Sequence, residues 1–381
     1  MTRVPVKPEM LQWACQRAGL DVDALAQRFP KLPEWLSEDV QPTLKQLEAF
    51  AKATHAPFGY FFLPKPPVES VPIPDFRTIR GEALRHPSPD LLDTIYICQQ
   101  RQEWYREYAR VTGEQPFPLV GSAKPTEDAV KVAAEMRDAL AFDLEERRQM
   151  PTWVDALRRF IEQADNLGIL VMVNGVVGSN NRRKLDPTEF RGFALADPLA
   201  PLVFINGADT KAGQMFTLAH ELAHLWLGES ALTDVEPRSA PTNAVENWCN
   251  RVAAELLAPL AVVRQELRRG EALRETMDRL ARRFKVSTLV ILRRIHDARA
   301  LPREQLWQEY DAEVKRLTSI PRAAGGSFYL TTAARVSKRF ARAVVTSTWE
   351  GRSSFTEAFH LLGFKKMSTF RELGQSVGVA G

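Results

Sequence analysis

Cysteine is nearly absent from this sequence. Cys15, Cys98 and Cys249 are far apart, odd in number and without a CxxC pair. That argues against a disulfide framework and for a reducing, cytoplasmic setting. Long apolar runs are missing too: there is no stretch of about 20 apolar residues to span a bilayer, so no membrane role is expected. Neither sign of charge dominates. Lys and Arg number 51 against 47 Asp and Glu, a net charge of +4, which is only a weak pull toward an acidic partner such as nucleic acid. There is no long internal repeat and no low-complexity tract. The opening MTRVPVKPEMLQWACQRAG is polar throughout and predicts no signal peptide. Histidine is scarce, six in the chain, yet two of them fall within FTLAHELAHLWLGE, residues 216–229.

What is present suffices for real cores: 381 residues, 45% hydrophobic and 26% charged, enough for two or three domains. Residues 1–63 read as short helices. Met10, Leu11, Ala14 and Ala18 share one helical face, Asp21 is a plausible N-cap, and Pro42-Thr43 opens an amphipathic helix with Leu44, Leu47 and Ala51 on one side. Five prolines between Pro64 and Pro74 mark a semi-rigid connector over 64–80. Helices are expected from about 88 to Gly113, near 126–148 and near 152–166. Between 168 and 206, GILVMVNGVV, FRGFALAD and PLVFING read as about three strands. Helical spacing then resumes in TKAGQMFTLAHELAHLWLG, stops at Gly228, and returns from 245 to about 299.

His220, Glu221 and His224 form an H-E-x-x-H group. On a helix, residues four apart lie nearly over one another, so both imidazoles can point at one ion. Glu221 is rotated by about 100°, placed to reach a metal-bound water without being a ligand. Catalytic zinc usually takes three protein ligands and leaves a fourth position for water. The third candidate is Glu246, 22 residues beyond His224 on a helix VENWCNRVAAELLAP; Asn250, one turn later, could orient a ligating imidazole. Glu255 is expected to cap or pair within the structure. The plain alternative is an amphipathic core helix with two satisfied histidines. Two imidazoles buried side by side would be costly unless something shared their lone pairs. The order strands, HExxH helix, helical glutamate is also that of the zincins.

FTLAHELAHLWL followed by ENWCNRVAAELLAP resembles the ImmA/IrrE family of metallopeptidases, which carries HExxH and then E-x-x-x-N-x-x-A-A-E-L-L-x-P. The resemblance implies a small zincin fold with His220, His224 and Glu246 on one Zn2+ and Glu221 as general base. Cys249 stands where a small residue is usual. The first 62 residues are similar to an Xre-type helix-turn-helix domain, and PIPDFRT and the tail FYLTTAARVSKRFARAVVTSTWEGRSSFTEAFHLLG resemble the same multidomain branch. The resemblance implies cleavage of a regulatory protein, such as a transcriptional repressor or an antitoxin, in a stress-response, mobile-element or toxin–antitoxin circuit.

Pro30 and Pro33 interrupt the stretch where an Xre recognition helix would lie, and Glu34, Glu38 and Asp39 put negative charge there. A protein-interaction module is the favoured reading of this domain. A second helix-turn-helix cadence, MDRLARRFKVSTLVILRRIHDARA, carries Arg282, Arg283, Lys285, Arg293 and Arg294, which could meet DNA phosphates or simply form a solvated face.

The expectation is therefore a mostly α, multidomain chain with a small α+β zincin-like core. Its segments are an Xre-like domain at 1–63, a proline-rich linker at 64–80, a helical connecting region at 81–150, a metallopeptidase domain at 151–300 ending in a helix-turn-helix-like segment, and a helical region at 301–381. The expected activity is zinc-dependent endopeptidase hydrolysis of a regulatory protein. The rival is a DNA- or protein-binding regulator whose metal site is a sensor or inactive.

Overall fold

Glycines in the left-handed region end three of the main helices. Gly113 has φ 73°, Gly168 119° and Gly228 73°, values that side chains resist and glycine accepts. In the computed structural model, residues 3–75, 87–233, 243–319 and 335–379 are described. The chain divides into two units, Met1–Pro72 with Ile79–Tyr96, and Ile73–Thr78 with Ile97–Gly381.

The first unit contains α1 (Pro8–Arg17), α2 (Val22–Arg28), α3 (Leu32–Leu36) and α4 (Leu44–Thr54), followed by a 3-10 turn at Phe58–Phe62. Its core joins Met10, Leu11, Leu25, Trp35, Leu47, Phe50 and Phe61. Asp21 occupies the N-cap position of α2 but its side chain makes no capping hydrogen bond, whereas Thr43 with Gln46 makes a reciprocal capping box for α4. The buried side of α4 is Leu47, Phe50, Ala51 and Thr54, and Leu44 is 46% exposed. The expected Leu44–Leu47–Ala51 face is therefore rotated, because Phe50 rather than Leu44 packs into the aromatic cluster with Phe29, Trp35 and Phe61. The third helix spans only Leu32–Leu36, with Pro33 in its first turn and Leu32 and Trp35 buried.

The helix α5 (Pro89–Thr112) gives its N-terminal part to the first unit and the rest to the second. The helical stretch expected near 126–148 is two helices, α6 (Ala129–Ala139) and α7 (Leu144–Gln149). Ala141 adopts φ 49°, and Asp143 caps a fresh start by accepting from Glu146 N–H. Then come α8 (Trp153–Leu167), β1 (Leu170–Asn174), β2 (Val176–Val177), β3 (Asn180–Lys184), β4 (Gly192–Leu195), β5 (Leu202–Asn206), α9 (Lys211–Leu227) and β6 (Ala231–Thr233). The strands β1, β5, β4 and β6 lie side by side in that order. β1 runs parallel to β5, and β4 is antiparallel to both β5 and β6. β1 and β5 are almost wholly buried, which explains their unbroken apolar sequence.

Four helices follow: α10 (Ala244–Leu257), α11 (Leu260–Glu266), α12 (Leu273–Phe284) and α13 (Thr288–Asp297). They are succeeded by α14 (Arg303–Thr318), α15 (Lys338–Trp349), α16 (Phe355–Leu362) and α17 (Met367–Ser376). The last three hold to the rest of their unit through Asp165, which accepts from Ser337 Oγ and Arg339 N–H, and through Arg101, whose Nε donates to the Leu361 carbonyl. The fold is thus mostly α around a small mixed sheet, and one hydrophobic core runs from α6 and α8 through α9 and α10 to α14.

Candidate metal centre

Helix α9 is buried along most of its length, from Gln214 to Trp226. Thr210 caps its start by accepting from Gly213 N–H, and Gly228 closes its end. A helix enclosed on nearly every side brings any polar group it carries into the interior. His220, Glu221 and His224 are each 0% exposed. Helix α10 packs against it, started by Asn243, which accepts from Val245 N–H. Glu246 sits in the first turn of α10, where a carboxylate is favoured by the helix dipole. The same helix is held at its other end by three guanidinium groups. Arg137 donates to the Glu255 carbonyl at 2.7 Å, Arg147 to the Leu257 carbonyl, and Arg294 to the Ala258 carbonyl at 2.9 Å. Cations on the last carbonyls of a helix stabilise it and fix its position along its axis.

These two helices bring His220, His224 and Glu246 together. The Nε2 atoms of the histidines are 3.1 Å apart; His220 Nε2 lies 3.2 Å from Glu246 Oε2, and His224 Nε2 lies 3.0 Å from Glu246 Oε1. Zinc bonded at about 2.1 Å to tetrahedrally arranged donors would hold them roughly 3.4 Å apart. The three donors match that spacing closely, and they form the one metal-competent cluster found among the described residues. Two imidazole nitrogens facing each other at this distance need a cation or a proton between them. Electrostatics within the cluster agrees. Burial pulls the His220 pKa down, but hydrogen bonding and charge from Glu246 outweigh it and leave it raised. Burial dominates at His224, which is lowered. Burial pushes Glu246 up, and hydrogen bonds from both imidazoles overcome it, bringing it to about 2.

Asn250, one turn along α10, acts on the same group and raises the His220 pKa, while Asn250 Oδ1 and His220 Nδ1 are both buried without a hydrogen-bond partner. Glu221 stands beside the cluster. Burial pushes its carboxyl up to about 8, against the lowering pull of His220 and of a hydrogen bond from Thr233. Its Oε2 has no protein hydrogen-bond partner. Cys249 is buried, and burial pushes its thiol well above the usual thiol range. Glu255 pairs with Arg294 at 2.5 Å and accepts from Leu260 N–H, a joint between α10 and α13.

The five basic residues considered for DNA contact are scattered. Arg282 is exposed and Arg293 half-buried. Arg283 pairs with Glu145 at 3.0 Å and Glu266 at 3.1 Å. Lys285 is buried, its ammonium 5.5 Å from the centre of the Trp153 ring. Arg294 is 4% exposed and bound to Glu255, Asp297 and the Ala258 carbonyl. Arg294 therefore leaves the expected phosphate-facing stripe: helix α13 buries it to hold α10. Two residues beside the centre had no sequence signal. Thr233 belongs to a three-residue strand, and Gly192 is an ordinary-looking glycine within FRGFALAD.

Residues 164–296 match the family model of a peptidase domain described as the IrrE N-terminal-like domain, and residues 336–376 match a domain of unknown function (DUF8813). No curated protein matches the chain. The first match covers the sheet, both helices of the centre and the three helices that follow, α11 to α13.

Proposed function

We propose, from the premise that residues 164–296 form a peptidase-family domain, that the chain is a zinc-dependent endopeptidase cleaving a regulatory protein of the repressor or antitoxin kind in the cytoplasm. The observation that carries the reading is the trio of donors about 3 Å apart, with an under-satisfied carboxylate on the same helix. His220, His224 and Glu246 would hold the metal. Zinc in such a setting supplies a bound water made acidic near neutral pH and a positive charge for a peptide carbonyl oxygen. Glu221 would take the proton of the attacking water through Oε2 and later return it to the leaving amine. Asn250 would steady the His220 ring. The free, buried state of Cys15, Cys98 and Cys249 is compatible with a reducing compartment, and no described helix is long and apolar enough to cross a membrane.

Co-expression with candidate repressors encoded nearby, with fragments read by mass spectrometry, tests this. Glu221→Gln should keep one zinc per chain and slow cleavage by about 100- to 10,000-fold, the usual contribution of a general base. A Glu221→Gln variant that cleaves as wild type, or a wild type that binds zinc and cleaves none of them, would favour the regulator with a sensing metal instead.

A further inference from the structure

We infer that Thr233 is a positioning residue that fixes the Glu221 carboxylate by its hydroxyl and leaves Oε2 as the oxygen that meets solvent at the metal centre; this rests on the peptidase reading above. Thr233 is the last residue of β6 and lies opposite Gly192 of β4 in the antiparallel register. Its Oγ1–H donates to Glu221 Oε1, and both side chains are fully buried. Gly192 makes room for that contact. A Cβ there would stand 3.3 Å from Glu221 Oε1, 2.8 Å from the Phe204 carbonyl oxygen and 2.5 Å from Thr217 Cγ2. One strand therefore withholds a side chain where its neighbour supplies a hydroxyl, and the carboxylate of α9 fits between them.

The chemistry of the donor suits a base. Arginine or lysine in this place would neutralise the carboxylate and weaken its hold on a proton. A hydroxyl orients one oxygen without bringing a charge of its own. Threonine is stiff about χ1, so the hydroxyl direction is set by the strand. A carboxylate buried for structure alone is satisfied more fully: Glu313 in the same unit takes Thr288 and two arginines. Glu221 takes one hydroxyl and keeps Oε2 open.

The test uses the full chain loaded with cobalt(II) in place of zinc and titrated with acetohydroxamate, followed by the visible absorption of the metal. The chelator binds a metal through its two oxygens and has a proton to donate to a carboxylate held beside that metal. Thr233→Val should retain one cobalt per chain and weaken acetohydroxamate binding by roughly tenfold or more, the loss expected when a hydrogen bond to a charged group disappears. Thr233→Ser should bind within about threefold of wild type, because the hydroxyl survives. Adding Thr233→Val to Glu221→Gln should cost nothing further, since a residue acting only through Glu221 has no effect once the carboxylate is gone. Unchanged acetohydroxamate affinity in Thr233→Val, or full additivity in the double variant, overturns the inference and leaves the peptidase reading standing. A wild-type chain that takes up no cobalt overturns both. Should Thr233→Val fail to fold, Thr233→Ala carries the same comparison.

Discussion

Glu246 and Glu313 are both buried carboxylates, 5% and 4% exposed, and both are brought down to about 2. Their surroundings differ in kind. Glu313 receives Thr288 Oγ1, Arg274, and Arg316 through two nitrogens at 2.7 and 2.8 Å, so donors on α12, α13 and α14 meet its two oxygens. Glu246 meets two imidazoles whose ring nitrogens also face each other. The first set is closed: with Asp278 on Arg274, two carboxylates face two guanidinium groups, and its charges and hydrogen bonds balance without help. The second holds three lone-pair donors around a common point and balances only when a cation or proton sits among them. A depressed carboxylate pKa marks both places and separates neither; the partners do.

Substitution should break this pairing most sharply in metal content. His220→Ala and Glu246→Ala should take zinc from one per chain to none, whereas Glu313→Gln should leave it at one, measured by elemental analysis of the purified protein. Equal loss in all three would mean that the three-helix joint and the metal centre are one cooperative device. Next in size is stability of the metal-free chain. Glu313→Gln should cost about 2 kcal/mol, less than a fully buried pair would because Arg274 and Arg316 keep 42% of their side chains exposed. Glu246→Gln should cost at least as much, since two buried imidazoles lose the carboxylate that they pair with. Chemical denaturation in the presence of EDTA reads both. The smallest effect is pH dependence of zinc binding. Glu246 raises His220 above its ordinary value against the pull of burial, so zinc must displace a proton up to a higher pH than it would from a free imidazole. Affinity should rise with pH by about tenfold per unit until that proton is lost, then level off. Glu313, already ionised throughout this range, should make no difference, and calorimetry of Glu313→Gln checks it.

The parts of the centre that lie along one helix were legible in the sequence. Four-residue spacing places His220 over His224 wherever the segment is helical, and Thr210 and Gly228 bound that helix by capping chemistry that is local. Glu246 needed the added pattern of the second block, because the chain must return to bring it near. What stayed hidden depends on tertiary pairing. β6 has three residues, too few to show a period, and β3 reads Asn-Asn-Arg-Arg-Lys because its side chains are almost all exposed and no alternation is imposed. Arg294 looked like its neighbours because spacing cannot tell a cation facing solvent from one facing the carbonyl end of another helix. Leu44 misled for a similar reason: the aromatic cluster chose Phe50 for the core of the first unit.

Zinc-edge X-ray absorption on the purified full chain addresses the metal centre most directly. Two imidazole nitrogens and carboxylate or solvent oxygens at about 2.0–2.2 Å, with no sulfur, are predicted, and this signal should vanish in Glu246→Ala. A sulfur neighbour at about 2.3 Å, which would bring Cys249 onto the metal, or a wild-type chain that takes up no zinc, would contradict it.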